Sequence, residues 1–177
     1  MIIKFCPNCG SSVTFKIPEG DNRKRHCCNN CNEIIYQNPK IVAGCIAHIE
    51  KKILLCKRAI EPRKNFWTIP AGFLENGESI ENGAIRETLE EAKLSVKELK
   101  LFQIYSIPRI NQVYIIFLKQ INKDDSFGAG DETYDVRLFS FDEIPWDQLA
   151  FQTVSKSLKN FIKDYPNNLK VYNDVLE

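Results

Sequence analysis

The stretch from Gly72 to Leu94, GFLENGESIENGAIRETLEEAKL, constrains this chain more than any other. A glycine is followed by five residues and Glu78, then by seven and the pair Arg86-Glu87, then by two and the pair Glu90-Glu91. The spacing predicts an amphipathic helix from about Ser79 to Ala92. At about 100° per residue, Ala84, Ile85, Thr88, Leu89 and Ala92 form one arc, and Arg86, Glu87, Glu90 and Glu91 form the other. Glu87 stands three residues before Glu90 and four before Glu91, which gathers the carboxylates on one face. Arg86, four residues before Glu90, is placed to pair with it. Crowded carboxylates repel unless a cation lies among them. Hard oxygen ligands of this kind suit Mg²⁺ or Mn²⁺.

A second constellation lies at the N-terminus. Cys6-Pro-Asn-Cys9 and Cys28-Asn-Asn-Cys31 are two C-x2-C knuckles separated by 18 residues. That pattern predicts a structural Zn²⁺ site in a zinc ribbon over residues 1–37. A module so small buries too little apolar surface to stand without a metal. Cys27 would give the wrong spacing to Cys31, so Cys28 is the expected ligand. Arg23-Lys24-Arg25-His26 is a short basic run offset by Glu19 and Asp21. Support of the main domain or a dimer contact is the expected role of the ribbon, and nucleic acid is not the expected partner.

Asn38-Pro39 marks a boundary, because the residue before a proline is driven out of the helical region. The main domain is expected over residues 38–177. Residues 41–49 and 53–58 read as a hairpin of buried strands, and 66–71 as a short strand leading into Gly72. Residues 99–107 and 113–121 read as strands around a turn at Pro108. Residues 124–133, DDSFGAGDET, read as a mobile, solvent-facing loop. Another strand covers 134–141. A helix is expected from Pro145-Trp146-Asp147, capped by Asp147, packing through Phe151, Val154, Leu158, Phe161, Ile162 and Tyr165 and stopped by Pro166. Residues 167–177 read as a loosely held tail. This order of elements fits a mixed sheet between helices.

The spaced residues Gly72, Glu78, Arg86, Glu87, Glu90, Glu91 and Leu94 resemble the Nudix box, GX5EX7REUXEEXGU, where U is aliphatic. Thr88 and Lys93 depart from it, standing where an aliphatic residue and a glycine are usual. Thr88 is expected to pack through its methyl. Lys93 must take up a left-handed exit at a cost or leave the helix differently. The ribbon, Asn38-Pro39-Lys40, Arg58-Ala-Ile-Glu61-Pro62-Arg63, Trp67-Thr-Ile-Pro70-Ala71-Gly72 and Ile144-Pro145-Trp146 are similar to the ribbon-bearing ADP-ribose/FAD pyrophosphatase-like members of that family.

The resemblance implies an α/β fold, the Nudix α/β/α sandwich. It also implies hydrolysis of a nucleoside diphosphate linked to X, with ADP-ribose or FAD expected. Glu87, Glu90, Glu91 and the Ala71 carbonyl are the implied Mg²⁺ ligands, and Arg86 orients the glutamates. Glu132, from the later loop, is the candidate base or extra ligand, with Asp135 behind it. Arg58, Arg63 and Trp67 are the candidate substrate contacts, and Phe66 and Tyr105 are further aromatics able to stack. Pro108, 14 residues past Leu94, is a mild pointer to ADP-ribose. Tyr105-Ser-Ile-Pro-Arg109 does not match the SQPWPFPxS-like segment of NADH-type members, which leaves NADH as the alternative substrate. A non-catalytic nucleotide sensor is the other alternative, set against which all three box glutamates are present. A homodimer is expected by the same resemblance.

Composition sets the remaining bounds. A net charge of +1 gives no global pull toward nucleic acid or anionic lipid. No apolar run resembles a secretory signal or a membrane span, so a cytoplasmic protein with reduced thiols is expected.

Overall fold

The computed structural model describes residues 3–177. The chain forms two compact units, Met1–Asn38 and Pro39–Glu177. The first is a small antiparallel sheet of β1 (Val13–Lys16), β2 (Arg25–Cys28) and β3 (Ile34–Ile35) in that order. Among its described residues the buried hydrophobic side chains are Cys6, Cys27 and Cys28, while Phe5, Phe15, Ile17 and Tyr36 are exposed.

The second unit is an eight-stranded mixed sheet with a helix on each face. Its strands are β4 (Lys40–Ile49), β5 (Lys52–Arg58), β6 (Trp67–Thr68), β7 (Ala71–Phe73), β8 (Lys100–Ile107), β9 (Gln112–Gln120), β10 (Thr133–Ser140) and β11 (Tyr172–Val175). The long path runs β10-β5-β4-β9-β8-β11, with β6 on β5 and β7 on β4. The β4–β9 and β8–β11 pairs are parallel and the rest antiparallel.

Strand alternation sorts the core between the two faces. Ile46, Ile53 and Leu55 pack with Val154, Leu158 and Phe161 of α2 (Gln152–Asp164). Ala43, Ala47, Leu54 and Cys56 lie on the face of α1 (Ile80–Ala92), packed with Ala84 and Ala92. Small residues on both sides bring α1 close to the sheet. Thr88 is fully buried there, and its hydroxyl donates to the Ala84 carbonyl at 2.7 Å. His48, on the α2 face, lies 4.7 Å from the Phe161 ring, and burial lowers its pKa to about 4.

Four expectations are corrected. Asp147 sits in a separate 3-10 turn, Trp146–Gln148, and α2 starts after Phe151 without a side-chain cap. Residues 167–177 are not a loose tail: β11 pairs with β8, Leu176 is buried, and Gln103 donates to Asp174 at 3.0 Å. The strand expected over 66–71 is broken at Ile69-Pro70 into β6 and β7. Leu89, placed on the apolar arc, is 48% exposed, whereas Glu91 from the charged arc is 7% exposed. The buried face of α1 is therefore turned toward Glu91. No helix among the described residues is long and apolar enough to cross a membrane.

Candidate active site and metal centres

Ser79 caps α1, its hydroxyl accepting from the Asn82 amide at 3.1 Å. Lys93 ends the helix in the left-handed conformation, φ 50° and ψ 22°, its amide donating to the Leu89 carbonyl at 3.0 Å. Gly128 and Gly130 donate their amides to the Ala92 and Glu91 carbonyls at 2.8 and 3.1 Å, satisfying the open end of the helix. A Cβ at Gly130 would overlap the Glu90 carbonyl, so only glycine permits this docking. The later half of the loop expected to be free is thus fixed to α1. It carries Asp131 and Glu132 into the wall of the same cavity as the helix carboxylates.

Arg86 organises the polar face. Its guanidinium donates to both Glu78 oxygens at 2.8 and 3.1 Å, to Glu87 at 2.7 Å, to Glu90 at 3.0 Å and to the Phe73 carbonyl at 3.1 Å. The pairing expected with Glu90 is present, and the bidentate one with Glu78 is added to it. These bonds hold the Glu78 carboxyl below its ordinary range. Glu91 is held apart from the arginine: one of its oxygens accepts from the Ala71 amide at 3.0 Å. Burial lifts its pKa to about 7, the Ala71 amide opposing and the Glu87 charge adding. Burial also raises Glu87, against the pull of Arg86. Gly72 cradles Glu87, because a Cβ there would overlap its carboxylate.

The cavity these groups line measures about 860 Å³. Glu87, Glu90, Glu91, Arg86, Glu132, Ala71 and Arg58 all lie in its wall. Arg58 is only 8% exposed. Its Nε donates to the Pro62 carbonyl at 2.9 Å, and its guanidinium lies 5.2 Å from the centre of the Phe151 ring. It forms no ion pair among the described residues. Two expected substrate contacts are elsewhere. Trp67 is a core residue, 6% exposed and edge-on to Phe139, because β6 pairs with β5 and turns its indole into the α2 face. Arg63, at φ 63°, lies over the Phe66 ring outside the cavity lining. Tyr105 is fully buried in the core. Sequence reading assigned no such place to Phe73, Ile110, Tyr114 or Phe151, which line the cavity. Phe151 read as a packing residue, and only its position at the start of α2 hints at more.

The four ribbon cysteines form the other centre. Their sulfurs all lie within 4.8 Å of one another, with Cys6 and Cys31 at 3.7 Å and Cys9 and Cys28 at 3.4 Å. The Asn30 and Cys31 amides donate to the Cys28 sulfur at 3.4 and 3.5 Å. Soft donors in this arrangement fit a structural zinc ion.

Sandwich and cavity together define the class, an α/β/α protein with a carboxylate-lined cleft. The NUDIX domain profile matches residues 38–164, and the profile described as Nudix N-terminal, of the zinc-ribbon type, matches residues 4–37. The chain belongs to the Nudix hydrolase family, whose enzymes use a divalent metal. It is 32% identical over 135 residues to an ADP-ribose pyrophosphatase of Methanocaldococcus jannaschii, covering 74% of this chain and 75% of that one. It is 31% identical over 146 residues to the NAD-capped RNA hydrolase NudC of Haemophilus influenzae, covering 79% of this chain but 52% of that one. The chain therefore spans about half the length of such relatives. The crystal structure of a NUDIX hydrolase from Nitrosomonas europaea matches with a TM-score of 0.90 and 44% identity, covering 98% and 99% of the two chains.

Proposed function

We propose that residues 38–177 hydrolyse the pyrophosphate bond of a nucleoside diphosphate linked to a second moiety. ADP-ribose or FAD is the substrate, and a nucleoside monophosphate and phosphorylated X are the products. The observation that carries this reading is Arg58. A buried guanidinium without an ion-pair partner faces a cavity otherwise rich in carboxylates, and buried charges of this kind are normally paired. A substrate with anionic phosphates would supply the partner.

The carboxylates fit Mg²⁺ or Mn²⁺. Glu91 is buried and Glu87 half-buried, burial lifts the pKa of both, and Gly72 leaves room for Glu87. Glu87, Glu90, Glu91 and the Ala71 carbonyl would hold the ion. When bound, it supplies charge neutralisation for pyrophosphate oxygens and acidifies water. Arg86 fixes Glu87 and Glu90 in place and leaves Glu91 to the Ala71 amide. Glu132 takes a proton from the attacking water. Arg58, braced by Pro62 and Phe151, binds and orients the phosphates. The ribbon is a structural Zn²⁺ module. The ADP-ribose preference rests on the relative that this chain matches over most of its length and on Pro108.

The test is a panel of ADP-ribose, FAD, NADH and diadenosine polyphosphates with Mg²⁺, with the products identified. Glu90→Gln is expected to fold normally and lose most of the rate. Failure to turn over any of the panel sinks the reading, and a Glu90→Gln variant close to wild type removes Glu90 from the ligand set.

A further inference from the structure

Lys93 closes α1 with a left-handed backbone, φ 50°. That region is costly for any residue with a Cβ and free for glycine. The docked loop fixes the direction in which the chain must leave, through the Gly128 and Gly130 amides. Glycine would meet that demand without strain, yet a lysine is there. Strain alone does not single it out, since Asn32, Glu50, Arg63, Asn65, Glu98 and Asn111 also have positive φ. Among these non-glycine residues, Lys93 is the one that lines the cavity.

Charge supplies the second observation. Three cationic residues line the cavity, Arg58, Arg86 and Lys93. The Arg86 donors are spent on Glu78, Glu87, Glu90 and the Phe73 carbonyl. Arg58 is buried and braced. Lys93 is exposed and makes no ion pair among the described residues, although Glu90 and Glu91 stand three and two residues before it in the chain. A lysine on a four-carbon stem, exposed and without an ion pair in the lining of this cavity, can bring a mobile point charge to phosphate.

We propose that Lys93 is a substrate-contacting residue whose ammonium engages phosphate oxygens of the bound pyrophosphate, so that it and Arg58 together set affinity for the diphosphate. This rests on the reading of the cavity as a pyrophosphate site. It adds to that site a contact where the family pattern has no side chain. A lysine that served only to cap the negative end of α1 would contribute to stability and leave substrate affinity alone.

Three variants separate the two roles. Lys93→Gly removes charge and strain, Lys93→Gln removes charge and keeps the strain, and Lys93→Arg keeps both. KM and kcat for ADP-ribose with Mg²⁺, Kd for ADP-ribose by calorimetry, and melting temperature are measured for each. The Gly and Gln variants are expected to raise KM and Kd about five- to tenfold, with kcat within about twofold. Lys93→Arg should stay near wild type. Lys93→Gly should melt level with or above wild type, so its weaker binding is not loss of fold. KM and Kd within about twofold of wild type in both neutral variants overturn the proposal. So does an effect that Arg does not restore, or one that tracks only a changed Mg²⁺ half-saturation. A wild type that binds ADP-ribose without hydrolysing it breaks the parent reading and leaves the Lys93 contribution legible in Kd. A wild type that does neither overturns both.

Discussion

The two candidate metal centres are built on opposite plans. In the ribbon, four sulfurs lie within 4.8 Å of one another, and the module around them has cysteines for its buried hydrophobic side chains. On α1, the carboxylates are parcelled out among protein groups, Glu87 and Glu90 to Arg86, Glu91 to the Ala71 amide. That helix rests on two hydrophobic clusters of the main domain, through Ala84 and through Ala92. Among the described residues, the cysteines are the group gathered closely enough to hold an ion as they stand. The difference teaches what each site is for. On the reading proposed above, a closed, soft centre would stand in for a missing core, whereas an open, hard centre would be carried by a finished one and could exchange its ion and its ligand.

Metal removal is the strongest way to break this contrast. Zinc binding in small ribbons is worth about 10–16 kcal/mol, so stripping it or making Cys28→Ser should unfold residues 3–38 outright. The main domain should keep its melting transition. Zinc content by mass spectrometry, circular dichroism and limited proteolysis report the two units separately. A ribbon that stays protease-resistant without zinc would show that it does have a core of its own.

Next in size is Glu91→Gln. Losing one charged oxygen from the hard site should lower kcat about 10³-fold, or about 4 kcal/mol of barrier, with the fold intact. Steady-state kinetics at saturating Mg²⁺, beside a thermal melt, check it. A loss of fold rather than rate would place Glu91 in the core, not the site.

Both candidate centres stand out in the sequence because their candidate ligands fall in short local patterns. C-x2-C turns and i, i+3, i+4 steps are local rules. What was not legible depends on distant partners. Trp67 looked like a stacking residue beside the box, but the pairing of β6 with β5 turns it inward. The terminal strand has no strong pattern of its own, and it forms because β8 offers a free parallel edge and Gln103 a partner for Asp174. The later half of the 124–133 loop read as mobile from its composition. Its glycines are there so that a backbone can lie against the end of α1.

Proton linkage sharpens the contrast further. Without a divalent ion, folded Glu91 keeps its proton up to about pH 7, against an ordinary value of 4.5. Between those values the folded state binds more protons, so stability falls as pH rises, by about 3 kcal/mol in all. His48, lowered to about 4, acts in the opposite sense, adding stability as pH rises toward 6.5. The wild-type curve alone should therefore be shallow. The difference between wild type and Glu91→Gln isolates the carboxyl, because His48 is common to both. In chelator, denaturant titrations should find the variant the more stable at pH 8, with the gap closing at pH 5. Added Mg²⁺ should stabilise wild type more at pH 8 than at pH 5. A gap that does not change with pH would mean that Glu91 is solvated and not buried.

The smallest effect bears on how firmly the helix itself holds the hard site. Ser79 accepts from the Asn82 amide, and removing such a cap costs about 1 kcal/mol. The far end of α1 is tied down by the Gly128 and Gly130 amides, and its middle by Thr88 and the alanines against β4. Glu87, Glu90 and Glu91 sit in that anchored half. Ser79→Ala should therefore lower the melting temperature by about 2–4 °C and leave kcat and the Mg²⁺ half-saturation unchanged. If activity falls with the cap, the first turn is positioning the glutamates through Glu78 and Arg86, and the site depends on both ends of the helix.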